Sequence, residues 1–106
     1  MNIGFIGTGK IASAVITGIF KSNIVYKKIT ISSRNKKTAK KLKKKYNQIK
    51  IAKNNQEILN SSDWIFLSIT PIVGNKIIKD LNFKSNQTII SFISTITLSQ
   101  LKKMIK

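Results

Sequence analysis

The chain has 106 residues, of which 20 are Lys or Arg and three are acidic, for a formal charge of +17. That length is one domain with enough chain to bury a core unaided, and the absence of Cys and His excludes disulfide scaffolds, zinc fingers and thiolate or imidazole catalysis. A hydrophobic content of 42% with eight aromatic residues excludes a disordered tail.

The charge raises the question of nucleic acid, because a basic domain gains affinity for phosphates through counterion release. Ile, Lys and Asn together make 50 of the 106 residues, the composition of an AT-rich coding sequence, and Arg34 is the only Arg. Side chains that read bases are more often Arg. The charge is therefore read chiefly as compositional bias, with some positive potential retained near an anionic ligand. The apolar stretch from Ile3 to Phe20 is broken by Gly7, Gly9 and Lys10 and has no basic residue before it. It reads as a buried strand entering a buried helix, not as a membrane span or signal core. Lack of Cys is compatible with a cytoplasmic protein, the expected location, and no metal site is expected.

In chain order, Ile3-Gly4-Phe5-Ile6 is an apolar run ended by Gly7-Thr8-Gly9, the form of a strand buried on both faces. From Lys10 to about Phe20, Ala12, Val15, Ile16 and Ile19 share one helical stripe. Ile29-Thr30-Ile31 is a β-branched strand giving way to Ser32-Ser33-Arg34-Asn35. Ala39, Leu42 and Tyr46 then recur at helix spacing, with Lys36, Lys37, Lys40, Lys41, Lys43, Lys44 and Lys45 on the remaining, solvated surface. Ile49-Lys50-Ile51 is a short strand. Asn54 with Glu57 three residues on predicts the cap of a brief helix through Leu59.

Trp64-Ile65-Phe66-Leu67-Ser68-Ile69 is the strongest strand in the chain, with Trp64 and Phe66 read as core packing, and Thr70-Pro71 stops it. Pro suits a first helical turn, so Ile72 to Lys79 is the next helix. Thr88-Ile89-Ile90-Ser91-Phe92 is a fifth strand. Thr97 and Gln100 form a capping box ahead of Leu101, Met104 and Ile105. Five β-α units in alternation predict parallel pairing with right-handed crossovers. The fold class is therefore α/β, a doubly wound, Rossmann-like sheet in a three-layer sandwich over residues 1–106.

Chemistry enters at the first turn. Gly7-Thr8-Gly9-Lys10-Ile11-Ala12 has the Gly-x-Gly-x-x-Gly/Ala form of a dinucleotide-binding loop, placed between a buried strand and a helix as that mechanism requires. Gly7 permits the tight turn, Gly9 lets backbone approach a pyrophosphate, and Ala12 lets the helix pack close to the strand. The helix N-terminus offers N–H groups and positive dipole to the anion. At the end of the second strand an NAD site carries Asp or Glu for the ribose hydroxyls. Here stand Ser32, Ser33, Arg34 and Asn35, two hydroxyls and a guanidinium suited to a 2′-phosphate. The expected cofactor is NADP, with NADPH preferred over NADH. Asn35 also reads as the cap of the following helix, and both roles can hold.

These residues resemble the N-terminal domain of pyrroline-5-carboxylate reductase. The resemblance is carried by Ile3 through Ala12, Ser33-Arg34-Asn35, Asn54 through Glu57, Ser62-Asp63 leading into Phe66 through Pro71, and Ile89 through Leu101, nearly without gaps. It implies that Ile6, Gly7, Thr8, Gly9, Lys10 and Ile11 wrap the pyrophosphate. Ser33 and Arg34, with Asn35, would hold the adenosine phosphate. Asn55 would contact the adenosine side, unless it serves as a helix cap. Ser68, Ile69, Thr70 and Pro71 would pass beneath the nicotinamide ribose, and Phe92, Ile93 and Ser94 would line the nicotinamide end. The implied reaction is hydride transfer from NADPH to the C=N carbon of 1-pyrroline-5-carboxylate, giving L-proline.

Two segments depart from the family pattern. Ile69-Thr70-Pro71 replaces the usual Val-Lys-Pro, and Ile93-Ser94-Thr95 replaces Ala-Ala-Gly, both at the substrate end. The helical C-terminal domain that forms the dimer and completes the substrate pocket in that family is absent from these 106 residues. The chain is expected to be an isolated domain, fragment or truncated product that binds NADPH weakly and turns over little, and to form a homo-oligomer only with that missing domain. No general acid is assigned, since Asp63, Asp80 and Glu57 read as a turn residue, a helix-end residue and a cap. The alternatives are the cofactor domain of another NADP-linked imine reductase or hydroxyacid dehydrogenase relative, and a non-enzymatic basic Rossmann module that binds nucleic acid.

Overall fold

The computed structural model describes residues 1–33, 35–93 and 96–105. The strands are β1 (Asn2–Ile6), β2 (Lys28–Ile31), β3 (Lys50–Ile51), β4 (Trp64–Leu67) and β5 (Thr88–Ser91). The helices that alternate with them are α1 (Lys10–Lys21), α2 (Lys36–Lys45), α3 (Asn55–Asn60), α4 (Pro71–Ile77, continued by a 3₁₀ turn, Ile78–Asp80) and α5 (Leu98–Ile105). All pairings are parallel, in the order β3-β2-β1-β4-β5. The expected doubly wound sheet is what the chain forms.

Strand alternation sends the two halves of each strand's side chains into two cores. Ile3 and Phe5 of β1 join Ile29 and Ile31 of β2 with Ala12, Ile16 and Ile19 of α1 and Ala39 and Leu42 of α2. Ile6 joins Ile65 and Leu67 of β4 with Ile58 and Leu59 of α3, Ile78 and Leu101 of α5. The register aligns Ile3 with Ile29 and Trp64, and Phe5 with Ile31 and Phe66. Phe66 stacks on Phe5 at 4.7 Å between ring centroids, and Phe92 stacks on Phe66 at 5.9 Å.

Gly4 is where the second layer touches the sheet. A Cβ there would meet Ile58 Cγ2 at 2.6 Å and the Ser62 hydroxyl, so only glycine lets the end of α3 settle onto β1.

Helix starts follow the sequence signals. Thr38 N–H donates to Asn35 Oδ1 at 3.2 Å, Glu57 N–H to Asn54 Oδ1 at 2.9 Å and Val73 N–H to Thr70 Oγ1 at 3.4 Å. Gln100 N–H donates to Thr97 Oγ1 at 3.2 Å while Gln100 Oε1 accepts from Thr97 N–H at 2.9 Å, the reciprocal capping box.

Several details differ from the sequence expectation: β4 stops at Leu67 and not at Ile69, and β5 at Ser91 and not at Phe92. The β3 ladder holds only Lys50 and Ile51, because Ile49 N–H is turned back onto the Tyr46 carbonyl. The helix expected from Ile72 to Lys79 starts at Pro71 and tightens to 3₁₀ after Ile77. Trp64 is 41% exposed and not a core residue. It shares its sheet face with Phe66, but α1 and α2 cover that face over β1 to β3, and Thr88 beside Trp64 on β5 is exposed too.

Gly18, exposed in mid-α1 with nothing within 4 Å of a built Cβ, is the counterpart of Gly4. Gly4→Ala should destabilise the fold by about 1–3 kcal/mol through overpacking, whereas Gly18→Ala should stabilise it by about 0.5–1 kcal/mol through helix propensity. Urea unfolding of the two variants checks the opposite signs.

Candidate functional site

The loop between β1 and α1 is held from both neighbouring strands. Gly7 has φ +98°, a conformation that side-chain-bearing residues rarely adopt. Its N–H donates to the buried Ser32 hydroxyl at 3.0 Å, just beyond β2. From the β4 side, Ser68 Oγ donates to the carbonyls of Ile6 at 3.2 Å and Gly7 at 3.0 Å. A Cβ on Gly7 would strike the Ser68 carbonyl oxygen and lie 2.7 Å from Ile69 Cγ2. The turn is thus wedged between two strand ends with no space for a side chain.

Gly9 follows as the N-cap of α1, extended at φ −74°, ψ −167°, and supplies no side-chain cap. The side chains of Asn35, Asn54, Thr70 and Thr97 cap the four other helices. The first-turn N–H groups of α1 are therefore left for an external acceptor. A Cβ on Gly9 would meet nothing within 4 Å, so the approach to them is open. Thr8, 3% exposed, has a hydroxyl without a hydrogen-bond partner inside this same loop. These features fit a pyrophosphate: a glycine cradle, unpaired donors and one orphaned buried hydroxyl.

The crevice beside the loop has a volume of about 350 Å³ and is lined by Gly9, Lys10, Ile11, Ser68, Ile69, Thr70, Pro71 and Phe92. All eight are residues singled out in the sequence. They meet because β1 and β4 lie side by side at the point where the strand order reverses, the place where open α/β sheets bind ligands. The N-termini of α1 and α4 both open there. Phe92 is fixed by its stack on Phe66 and offers a flat apolar wall.

The remaining candidates occupy other positions. Ile6 and Ile93 are 1% and 4% exposed, their side chains in the second core, so they present only backbone to the site. Ser33 sits at the end of β2, its Oγ 3.5 Å from the Lys53 carbonyl, which brings the β3–α3 connection alongside. Asn55 opens α3, and because Asn54 makes the cap, the Asn55 side chain is not engaged in capping. Asn35 does cap α2. Arg34 and Ser94 lie outside the described residues. The sequence counted Ser32 among the phosphate hydroxyls, but the structure buries it beneath Gly7 as a brace for the loop. A hydroxyl at a strand end beside the glycine turn was the available signal.

The three carboxylates stand apart from the crevice. Asp63 accepts from Asn2 N–H at 2.9 Å at the opposite edge of the sheet, Glu57 pairs with Lys50 at 3.6 Å, and Asp80 ends the 3₁₀ turn. Among the described residues there is no cluster of three metal-ligating side chains and no helix long and apolar enough to cross a membrane.

The family model described as NADP oxidoreductase, coenzyme F420-dependent, matches residues 2–95. The chain belongs to this NADP oxidoreductase family. Over its whole length it is also similar to pyrroline-5-carboxylate reductases of known structure. The Streptococcus pyogenes 1-pyrroline-5-carboxylate reductase is 30% identical with a TM-score of 0.81, the match covering 99% of this chain and 38% of that one. The Plasmodium falciparum pyrroline carboxylate reductase, solved with NADP bound, shares the fold at 21% identity and a TM-score of 0.80, again over 99% and 38%. ComE operon protein 4 of Bacillus subtilis (strain 168) is 29% identical over 73 residues, 68% of this chain and 27% of that protein. The chain thus spans between about a quarter and two fifths of these relatives. The five-stranded parallel sheet and glycine loop described above are those of an NADP oxidoreductase-type Rossmann domain.

The two glycines of the loop separate folding from binding. Gly7→Ala should lower stability by about 1–3 kcal/mol, since alanine is strained at this φ and collides with Ser68. Gly9→Val should change the unliganded stability by less than about 1 kcal/mol while filling the approach to the α1 amides and abolishing stabilisation by a dinucleotide. Thermal unfolding with and without NADPH measures both.

Proposed function

We propose that this chain is the cofactor-holding domain of an NADPH-dependent imine reductase, with 1-pyrroline-5-carboxylate as substrate and L-proline as product. The observation that carries the reading is the open, uncapped start of α1 behind a glycine turn braced by Ser32 and Ser68, at the reversal point of the sheet. The likeness to the Streptococcus pyogenes reductase supports the substrate.

Each segment of the site has a distinct task in this reading. The amides from Gly9 to Ala12, the positive end of α1 and the Thr8 hydroxyl hold the pyrophosphate. Ser33 and Arg34 at the end of β2 take the adenosine 2′-phosphate, Asn35 stands beside them as the α2 cap, and Asn55 meets the adenosine from α3. No carboxylate there favours the doubly hydroxylated ribose of NADH. Ser68 and Ile69 support the ribose at the other end, Thr70 and Pro71 start α4 beneath it, and Phe92, with the backbone of Ile93 and with Ser94, walls the nicotinamide. Bound in its reduced form, the dinucleotide would supply a hydride to the carbon of a C=N bond whose nitrogen takes its proton from solvent. Ile69, Pro71 and Phe92 exclude water from one side of that step and orient the flat ring. The chain has no His, and no carboxylate lines the crevice, so its own residues position the reaction and do not acidify it.

The activity of the whole enzyme needs more polypeptide than this domain, and the isolated chain should reduce the imine at a small fraction of a full-length enzyme's rate. The setting is cytoplasmic, where NADPH is supplied.

A thermal-shift titration with NADPH, NADH and 2′-phospho-ADP-ribose tests the cofactor reading. A ligand that binds only the folded state at 100 times its Kd adds about 2.7 kcal/mol of stability. Stabilisation by both 2′-phosphorylated ligands, and much less by NADH, is the expected result. No response to any of them, with steeply salt-dependent binding to DNA that NADPH does not displace, would contradict it. Substantial proline formation by the isolated chain would overturn the assigned incompleteness.

A further inference from the structure

At the end of α1 away from the crevice, two apolar side chains stand in solvent. Ile24 is 50% exposed and Val25 84%, the one sequence-adjacent pair among the exposed large hydrophobics of the described residues. α1 has 12 residues, so it carries this turn about 18 Å from the glycine loop. The turn is built and not loose. Ser22 Oγ donates to the Ile19 carbonyl at 2.8 Å and accepts from Ile24 N–H at 3.1 Å, and Lys27 N–H donates to the Met1 carbonyl at 2.7 Å. Beneath it Phe20 meets Tyr26 edge to face at 5.6 Å and stacks on Tyr46 at 4.2 Å. The chain is thus fixed on both sides of a pair that it does not bury.

Lysines form a collar around this tip. Lys21 precedes it, Lys27 and Lys28 follow it, and all three are exposed. Lys45 Nζ lies 5.4 Å from the centre of the Tyr46 ring. The Tyr46 phenol is held below its ordinary pKa first by the hydrogen bond with Thr17 and then by the charges of Lys45 and Lys21, which stand beside the aromatic cluster. Among the described residues the one ion pair is Lys50–Glu57, so no carboxylate pairs with the collar. An apolar tip within a basic ring complements a bilayer that carries anionic headgroups. The apolar groups enter the headgroup–acyl boundary while the ammonium groups meet the phosphates. Two side chains are too few for a stable protein interface, which buries about 800 Å² on each partner. A nucleic-acid backbone would gain nothing from Ile24 and Val25.

We propose that the turn from Ser22 to Tyr26 is a peripheral membrane contact, in which Ile24 and Val25 enter the surface of an anionic bilayer and Lys21, Lys27, Lys28 and Lys45 hold its headgroups. The contact is independent of the dinucleotide reading. It uses the edge of the sheet opposite the crevice, which stays on the side away from the lipid.

The test is co-flotation of the 106-residue chain with vesicles of phosphatidylcholine alone and of phosphatidylcholine mixed with phosphatidylglycerol, at physiological ionic strength. The wild type should float with the mixed vesicles only. Ile24→Ser/Val25→Ser should lower that partition at least about tenfold, with the unfolding temperature unchanged because both side chains are already exposed. Lys27→Ala/Lys28→Ala should also lower it at least about tenfold. Lys37→Ala/Lys76→Ala removes the same charge from the crevice half of the molecule and should change it by no more than about threefold. The chain has no Cys, so Val25→Cys can carry a single polarity-sensitive dye, whose emission should move to shorter wavelength on the mixed vesicles. Absence of flotation overturns the proposal. Flotation unaltered in Ile24→Ser/Val25→Ser, with the dye still reporting water, marks adsorption by charge alone and overturns it too. DNA that strips the wild type from the vesicles, and binds the Ile24→Ser/Val25→Ser variant equally well while the vesicles do not distinguish the two, assigns the collar to nucleic acid and overturns the lipid contact.

Discussion

The close approach of Gly7 to Ser68 organises the rest of this molecule. Where β1 and β4 end side by side, the backbone must turn away sharply. The space left between the Ser68 carbonyl and Ile69 admits a glycine in the left-handed region and no side chain. Ser32 and Ser68 then fix the turn from opposite sides by hydrogen bonds to its N–H and carbonyls. Because these braces come from strands on either side, the loop geometry is a property of the sheet, not of a flexible segment. α1 starts from that fixed point with its amides facing outward, and the crevice is the space between α1 and α4. Packing, turn conformation and ligand access are thus one constraint seen at three scales.

Charge is the second organising feature. Placing Lys10 in the first turn of α1 and Lys36 in the first turn of α2 runs against the helix dipole, and neither first turn contains an acid. α3, which is capped by the Asn54 side chain and carries Glu57 in its first turn, shows the ordinary arrangement. Departures from local rules concentrate at functional positions, and here they mark the two helix starts along which an anionic dinucleotide would lie.

Much of this was legible in the sequence because it is written in local patterns. The capping residues Asn35, Asn54, Thr70 and Thr97 and the glycine spacing at Gly7 and Gly9 act within four residues of themselves, and alternating strands and helices admit few topologies. Of the crevice residues, Gly9, Lys10 and Ile11 were legible in the glycine-loop pattern, whereas Ser68 to Pro71 and Phe92 were implied by the resemblance to pyrroline-5-carboxylate reductases, and the strand order brings the two sets together. What was not legible depends on partners distant in the chain. The role of Ser32 is set by Gly7, 25 residues earlier. The exposure of Trp64 is set by where two helices stop covering a sheet face. A local reading, a phosphate hydroxyl for Ser32 and core packing for Trp64, was changed in both cases by tertiary neighbours.

Membership in the NADP oxidoreductase family and likeness to pyrroline-5-carboxylate reductases fix the kind of domain this is. The proposed function requires more of the molecule, that the braced glycine turn and the carboxyl ends of β2, β1, β4 and β5 form one continuous dinucleotide surface. Amide-resolved NMR during an NADPH titration tests that claim most directly. Saturable shifts should concentrate at Gly7 to Ala12, at Ser33 and at Ile69 to Phe92 where these residues border the crevice, and leave Lys41, Lys44 and the opposite edge around Asp63 unmoved. Shifts spread without saturation over the exposed lysines, with the glycine loop silent, would contradict it.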